Sequence, residues 1–202
     1  RNAFSTIFDG AAIDDSIWGS TLMNVTQEGV QEFRVFRNQF DAQYGAALQT
    51  IVSVVTKSGT NQVSGSGFYY GRDRALAARD YFLPTTRTKA PFSQHRVGGS
   101  VGGPIAQNKT HFFGAVEYNK VNRVKIIALP PSNPLAATEN GQFPSSVKDR
   151  MVTTKLDHRF NDAHSFFVRY LYDNQYLQRE FQVTSDSNNQ DEYNRVHSVV
   201  AE

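Results

Sequence analysis

The chain has 202 residues, a formal net charge of +2, 39% hydrophobic residues and no cysteine. The small net charge, with Lys and Arg scattered among Asp and Glu, gives no basic surface for nucleic acid. The lack of cysteine excludes disulfides and thiolate metal sites. No apolar run approaches the roughly 18 residues that a membrane-spanning helix needs.

The chain has two successive regions with different sequence patterns. Residues 1–61 mix short β-like runs with polar stretches compatible with helix, whereas residues 62–202 have a β pattern throughout, interrupted by turn signals. The first eight residues lack the basic segment and apolar core of a signal peptide. The last alternating run reaches the C-terminal end of the chain. We therefore expect an internal piece of a longer protein.

Six strands of about ten residues are predicted in the second region. They are 63–72, 94–105, 110–121, 151–160, 165–173 and 193–201. A strand of about 11 residues tilted by about 40° rises roughly 28 Å, enough to cross the apolar band of about 25 Å on outer-membrane barrels. Strands of globular proteins more often have about 5–6 residues. Strand length therefore favours a transmembrane barrel.

The predicted connections alternate in length. Segments 73–93, 122–149 and 177–192 are long, while 106–109 and 161–164 are tight turns. Outer-membrane barrels have long extracellular loops and short periplasmic turns. The alternation is therefore typical of a barrel and not of a soluble sandwich.

Three of the predicted strands alternate strictly, because successive strand side chains point to opposite faces. In 110–121, 151–160 and 165–173, one face is predicted to be free of Asp, Glu, Lys and Arg. The charged residues on the opposite face are Glu117, Lys155, Asp157, Arg159, Arg169 and Asp173. Alternation alone leaves open whether the uncharged face contacts lipid or the core of a soluble sandwich.

Several motifs in fixed order resemble TonB-dependent transporters. The run V-Q-E-F-R-V at 30–35, Tyr44-Gly45, and I-V-S-V-V-T-K-S-G-T-N at 51–61 resemble the end of the plug of that family. G-S-G-F-Y-Y-G-R at 65–72 and G-G-S-V-G-G-P-I at 98–105 resemble the strands that follow in its Oar-like branch. The residues of the plug signature are Glu32, Val35, Tyr44, Gly45, Thr56, Lys57, Gly59 and Asn61.

The resemblance implies an all-β fold: a partial transmembrane antiparallel β-barrel preceded by the end of a small α+β plug domain. Residues 1–61 would be the C-terminal part of the plug, and 62–202 the first six or so strands of a barrel of about 22 strands. The location implied is the outer membrane of a Gram-negative bacterium, in contact with its lipid. The energy-transducing partner would be the TonB-ExbB-ExbD complex, contacted through a segment upstream of this chain. The ligand class stays open among siderophore, cobalamin, oligosaccharide and peptide.

Roles for individual residues follow from this assignment. Glu117, Lys155, Asp157, Arg159 and Arg169 are expected to face the lumen and to bond to the plug or line the path of the ligand. Arg72, Arg74 and Arg79 flank the first long connection, where they could contact a ligand or form ordinary solvated ion pairs.

Glycine and tyrosine are also expected to have positional roles. Gly45 and Gly59 are expected to end strands with a positive φ, and Gly99, Gly103 and Gly114 to permit bulges or close approach of the plug. Tyr70, Tyr118 and Tyr172 are expected either in an interfacial girdle or in ordinary strand packing.

Other chemistry is not indicated. The glycine-rich stretch 98–103 lacks the Lys-Ser/Thr and the helix that a phosphate-binding loop requires. The histidines are not at metal-ligand spacing, and Asp14-Asp15 with Asp157 is not read as a catalytic pair. We therefore expect neither enzymatic activity nor a cofactor. The alternative function is a non-transporting, β-rich cell-surface protein, adhesin-like or structural.

Overall fold

The computed structural model describes residues 4–14, 21–37, 50–76, 78, 89–127, 129–178 and 190–202. These residues form ten strands in two sheets, with one 3-10 turn at Gln27–Gly29 and one short helix, α1, at Ala136–Glu139. None of the helices in these ranges is long and apolar enough to cross a membrane.

The first sheet is small and mixed. It is built from β1 (Phe4–Phe8), β2 (Ala11–Ala12), β3 (Val30–Arg37) and β4 (Thr50–Thr56) in the order β2-β1-β4-β3. Strand β1 runs parallel to β4, and the other pairs are antiparallel. Asp9 and Gly10 connect β1 to β2 with φ of 41° and 85°, as a two-residue type I′ hairpin turn requires.

The second sheet contains six long strands paired in chain order. They are β5 (Ser64–Asp73), β6 (Ser93–Ala106), β7 (Thr110–Ile127), β8 (Gly141–Arg159), β9 (Ser165–Leu177) and β10 (Glu192–Ala201). Every pair is antiparallel. Strands β5 and β10 are the open edges of this sheet in the described structure. All six predicted strands are present, and the tight turns at 107–109 and 160–164 lie at the opposite end of the sheet from the long connections.

The β7–β8 hairpin is longer than predicted. The prediction of a loop over 122–149 was wrong, because the antiparallel register continues from Val121–Val147 to Ile127–Gly141. Pro144 is tolerated inside β8 because β9 ends opposite Val147, so this part of β8 has no partner strand on that side. Only residues 128–140 connect the two strands.

The large sheet has one face toward the small sheet, the inner face, and one away from it, the outer face. Phe113, Ala115, Met151 and Leu171 are buried on the inner face, and the outer face carries exposed apolar side chains. These exposed residues are Val97, Val101, Val116, Leu156, Phe166 and Val199. The predicted separation of charged and uncharged faces is therefore present in strands 151–160 and 165–173, and in 110–121 as far as Tyr118.

The register corrects one prediction about faces and decides between the two alternatives for Tyr70. Lys120 lies in the predicted strand 110–121 but on its outer face, so that face of β7 is uncharged only as far as Tyr118. Tyr70 is opposite Arg96 and shares the inner face, which removes it from any outer girdle. Its neighbour Tyr69 has the outer-face position instead.

Candidate functional site

The small sheet packs on the inner face of the large one. Phe8, Ile13, Met23 and Val54 form a buried cluster with Leu171 of β9, and Val196 of β10 packs against it. Beside this apolar cluster, hydrogen bonds and ion pairs also cross between the sheets. The interface between the sheets is therefore the candidate functional site.

Asp9 is the central charge of this interface. Its carboxylate lies 3.3 Å from Nη1 of Arg169 and 3.9 Å from Nζ of Lys155, and the side chains of all three residues are at most 8% exposed. It also accepts hydrogen bonds from the backbone N–H (2.9 Å) and the hydroxyl (2.6 Å) of Thr56. The β1–β2 turn thus places one carboxylate between two inner-face cations, and the hydrogen bonds to Thr56 hold it there.

Arg169 and Lys155 have further contacts inside the large sheet. Arg169 donates to the hydroxyl of Ser198 on β10 at 3.2 Å. The ammonium of Lys155 lies 4.7 Å from the centre of the Phe167 ring. Two buried cations beside a single carboxylate make Asp9 the group on which their charge compensation depends.

A second set of contacts lies at 24–27. The backbone N–H of Asn24 donates to Asp173 (2.7 Å), and that of Gln27 donates to Glu117 (3.3 Å).

Two side-chain contacts complete this set. The buried hydroxyls of Thr26 and Thr153 form a hydrogen bond of 3.0 Å. Glu117 also forms an ion pair with Arg96 of β6. Carboxylates on the inner face therefore bind the backbone of segment 24–27 directly.

The segment between β4 and β5 runs along the sheet toward the β6–β7 turn. Ser58 donates to Asp157 at 3.3 Å. The side chain of Asn61 exchanges two hydrogen bonds with Asn108, at 2.6 and 2.8 Å, and contacts Nε2 of His111 at 2.9 Å. This segment is therefore fastened to the end of the sheet that has the short turns.

The prediction that Gly59 has a positive φ was wrong. A glycine is required there because the backbone of β7 lies too close for a Cβ atom. Of the described glycines, only Gly10 has a positive φ. A Cβ at Gly59 would lie 2.2 Å from the carbonyl oxygen of Phe112 and 2.9 Å from that of Gly103. Added to Gly103, a Cβ would lie 2.9 Å from the side chain of Val63.

Some residues of the predicted plug signature lie away from the interface. Glu32 and Val35 are exposed on β3, and Glu32 pairs with Arg34 at 2.9 Å. Nζ of Lys57 lies 3.8 Å from Oε2 of Glu28. Tyr44 and Gly45 lie outside the described residues.

The remaining predicted residues are at the two ends of the large sheet. Arg159 pairs with Asp162 in the β8–β9 turn and not with the small sheet. At the other end, the guanidinium of Arg72 lies 5.3 Å from the centre of the Phe92 ring, and the backbone N–H of Arg74 donates to Phe92. Arg79 lies outside the described residues.

The sequence did not predict which residues before β3 contact the inner face of the large sheet. Asp9 and Thr26 were not singled out, nor was Thr153 on β8. The dipeptide Asp9-Gly10 between two β-like runs is a turn signal that could have been found, but no local pattern reveals its pairing with Arg169. Among the described residues, no group of His, Cys, Asp and Glu could hold a metal ion.

Comparisons with known proteins agree with this geometry. The family model of an outer membrane beta barrel domain matches residues 55–149. The fold is similar to that of the siderophore receptor PirA from Acinetobacter baumannii, with a TM-score of 0.59 and 20% sequence identity over 87% of this chain. The chain covers 24% of that receptor's length. No curated protein matches the sequence.

The chain is thus part of a transmembrane antiparallel β-barrel, and its location is the outer membrane. The predictions of fold class and location are confirmed. The Oar-like branch and the assignment of residues 1–61 to a plug stay predictions.

Proposed function

We propose that this chain is the end of the plug and the first strands of the barrel of a TonB-dependent transporter, which carries a ligand across the outer membrane. The observation that supports it best is the small sheet seated on the inner face of the barrel strands. Asp9, inserted between Arg169 and Lys155, anchors it there. A sheet in this position occupies the lumen of the barrel.

The chemistry of the interface is suited to a plug that moves. Among the described residues, one apolar cluster, around Leu171, joins the two sheets. Hydrogen bonds and ion pairs also hold the two parts together, such as Asn24 with Asp173 and Gln27 with Glu117. Such contacts can be exchanged for water when a lumen opens, because an intramolecular hydrogen bond contributes only about 0.5–1.5 kcal/mol net.

The ligand and the partner are proposed from the resemblance of the sequence motifs to TonB-dependent transporters and from the similarity of the fold to a siderophore receptor. A ferric siderophore is the first candidate, since the similar structure is a siderophore receptor by name; cobalamin, oligosaccharides and peptides follow. Arg72, Arg74 and Arg79 would contact the ligand at the extracellular end. The TonB-ExbB-ExbD complex would pull on the plug through an upstream segment. We propose a role in uptake and no catalysis.

A reversible tether between plug and barrel tests this function. The Thr26 and Thr153 hydroxyls are 3.0 Å apart, so the double variant T26C/T153C of the full-length protein should form a disulfide. Uptake of radiolabelled ferric siderophores, cobalamin, oligosaccharides and peptides would be measured in cells with and without TonB.

We expect TonB-dependent uptake of one ligand class, its loss on oxidation of the double variant, and recovery after reduction. Each single-cysteine variant is the matched control and should transport under both conditions. The absence of uptake of every ligand class would favour the non-transporting surface protein. Uptake that depends on neither TonB nor the tether would contradict an energy-coupled plug.

A further inference from the structure

The charged residues on the outer face of the barrel strands all lie near the same end of the sheet. In the register of the six strands, the outer-face cations are Lys120, Lys148, Arg150 and Arg195, and the outer-face carboxylate is Asp73. A lipid-facing surface normally excludes such residues from its apolar band. Their common position therefore needs an explanation.

These cations occupy two adjacent rows across the strands. Lys120 lies opposite Lys148 in one row, and Arg150 and Arg195 both lie opposite Asn174 in the next. Successive rows on one face are about 7 Å apart. The rows below contain no Asp, Glu, Lys or Arg; they begin with Val116, Val152 and Tyr172 and continue through Phe112 and Leu156.

The two rows lie at the extracellular rim of the apolar band. The long connections 74–92, 128–140 and 178–191 are at this end of the sheet, and the short turns are at the other. Long connections are extracellular in outer-membrane barrels. The cations therefore lie at the level of the lipid headgroups of the outer leaflet.

A groove of about 390 Å³ is formed among these residues. It is lined by Lys148, Arg150, Asn174, Tyr176, Tyr193 and Arg195, hereafter the cationic groove. Its lining contains three cations and two phenols but no carboxylate. The rings of Tyr176 and Tyr193 pack with centroids 4.7 Å apart, and Tyr176 donates a hydrogen bond to Asp191 at the rim.

Within the described part of the chain, the groove cations have no carboxylate partner, and Lys148 Nζ lies 5.3 Å from the centre of the Tyr176 ring. No ion pair between described residues includes Lys120, Lys148, Arg150 or Arg195. Lys120 and Lys148 lie directly opposite each other, an arrangement that is destabilising for like charges. An external anion would relieve this repulsion.

We infer that the cationic groove binds the phosphorylated headgroup of an outer-leaflet lipid. Arg and Lys pair strongly with phosphate oxygens, Arg in a bidentate manner. A lipid is favoured over a soluble anion because the groove opens on the outer face, directly above the apolar rows. The acyl chains of the same molecule can therefore lie along Val116, Val152 and Leu156.

Lipid retention by the full-length protein tests this site. The protein would be reconstituted in phosphatidylcholine nanodiscs that contain either lipid A with its phosphates or the same lipid with the phosphates removed. Native mass spectrometry would then count the lipid A molecules retained per protein. The variant is K148Q/R150Q, and the single variant R195Q is a second, milder change.

The matched control is K109Q/R159Q, which removes the same charge at the periplasmic end. We expect wild type and control to retain the phosphorylated lipid. K148Q/R150Q should retain at least about tenfold less of it, because each cation near an anionic surface strengthens binding. R195Q should have a smaller loss. Heat-modifiable migration of each variant verifies that its barrel is folded.

Three results would overturn the assignment. Retention of the phosphate-free lipid at the same level would show that the phosphates are not recognised. Equal loss in the control would show a non-specific charge effect. Displacement of the lipid by inorganic phosphate at the same phosphate concentration would show a site for soluble anions.

Discussion

Arg169 and Asp9 form a buried ion pair between residues that are 160 positions apart in the sequence. Nη1 of Arg169 lies 3.3 Å from Oδ2 of Asp9, and the two side chains are 0% and 5% exposed. Asp9 is in a tight turn of the small sheet, and Arg169 is in the middle of a barrel strand. The pair therefore couples the position of the small sheet to the inner face of the barrel.

Removing the carboxylate should release the small sheet. Asp9→Asn keeps the shape of the side chain but leaves Arg169 and Lys155 buried without a counter-charge. Breaking one partner of a buried pair costs about 3–5 kcal/mol. We expect faster hydrogen exchange in residues 4–56 of the full-length protein, with unchanged heat-modifiable migration of the barrel.

The exposed pair Arg159–Asp162 provides the control for this experiment. Asp162→Asn removes an equivalent charge from a turn in which both partners are exposed, and exposed pairs contribute little. It should leave exchange in residues 4–56 unchanged. If Asp9→Asn impaired barrel assembly as much as docking of the small sheet, the proposed role of the pair would be wrong.

The hydroxyl pair Thr26–Thr153 should show strong coupling in a double-mutant cycle. Either single change to Val leaves a buried hydroxyl without its partner, at a cost of about 1–3 kcal/mol. The double change removes both polar groups and should cost less than the sum of the single changes. The measurement is the free energy of opening of residues 24–29 by hydrogen exchange, and additive costs would contradict a direct bond.

Gly59→Ala should be strongly destabilising although Gly59 has no positive φ. Its new Cβ would lie 2.2 Å from the carbonyl oxygen of Phe112, and this atom belongs to a strand paired on both sides. Gly114→Ala is the matched control, because a Cβ there meets nothing within 4 Å. We expect the yield of folded protein in the outer membrane to fall for Gly59→Ala only, and equal yields would contradict the close approach.

The outer face should tolerate charge at one height and not at another. Val116 and Ile126 are both on the outer face of β7 and are 56% and 54% exposed, but Val116 is in the apolar rows and Ile126 is beyond the cationic rows. Val116→Lys should cost up to about 2–4 kcal/mol of insertion free energy, and Ile126→Lys about zero. Denaturant titration of refolding into lipid vesicles measures both, and equal costs would exclude lipid contact at Val116.

The positions of the barrel strands could be predicted because the membrane imposes a regular alternation on them. The same reason explains where the prediction failed. Beyond Tyr118, the outer face carries polar residues such as Lys120 and Asn122, so the alternating pattern no longer resembles that of a membrane strand. The β7–β8 hairpin was therefore predicted too short.

The charges on the inner face could be predicted, but their partners could not. Arg169 and Lys155 stand out because they are charged residues on one face of strictly alternating strands, which is a local property. Their pairing with Asp9 depends on how two sheets dock, and docking is a long-range property that the spacing of residues does not encode. Gly59 was recognised as a required glycine, but its requirement comes from the approach of Phe112 and not from its own backbone conformation.

The most direct test of the central claim is the ion conductance of the full-length protein in planar bilayers, with and without the whole plug, that is, residues 1–61 together with the plug sequence that precedes them. If the small sheet occupies the lumen, the intact protein should be closed, and the deletion variant should form large, stable channels. Heat-modifiable migration would verify that both barrels are folded. Equal conductance of the two folded proteins would contradict the assignment of the small sheet as a plug.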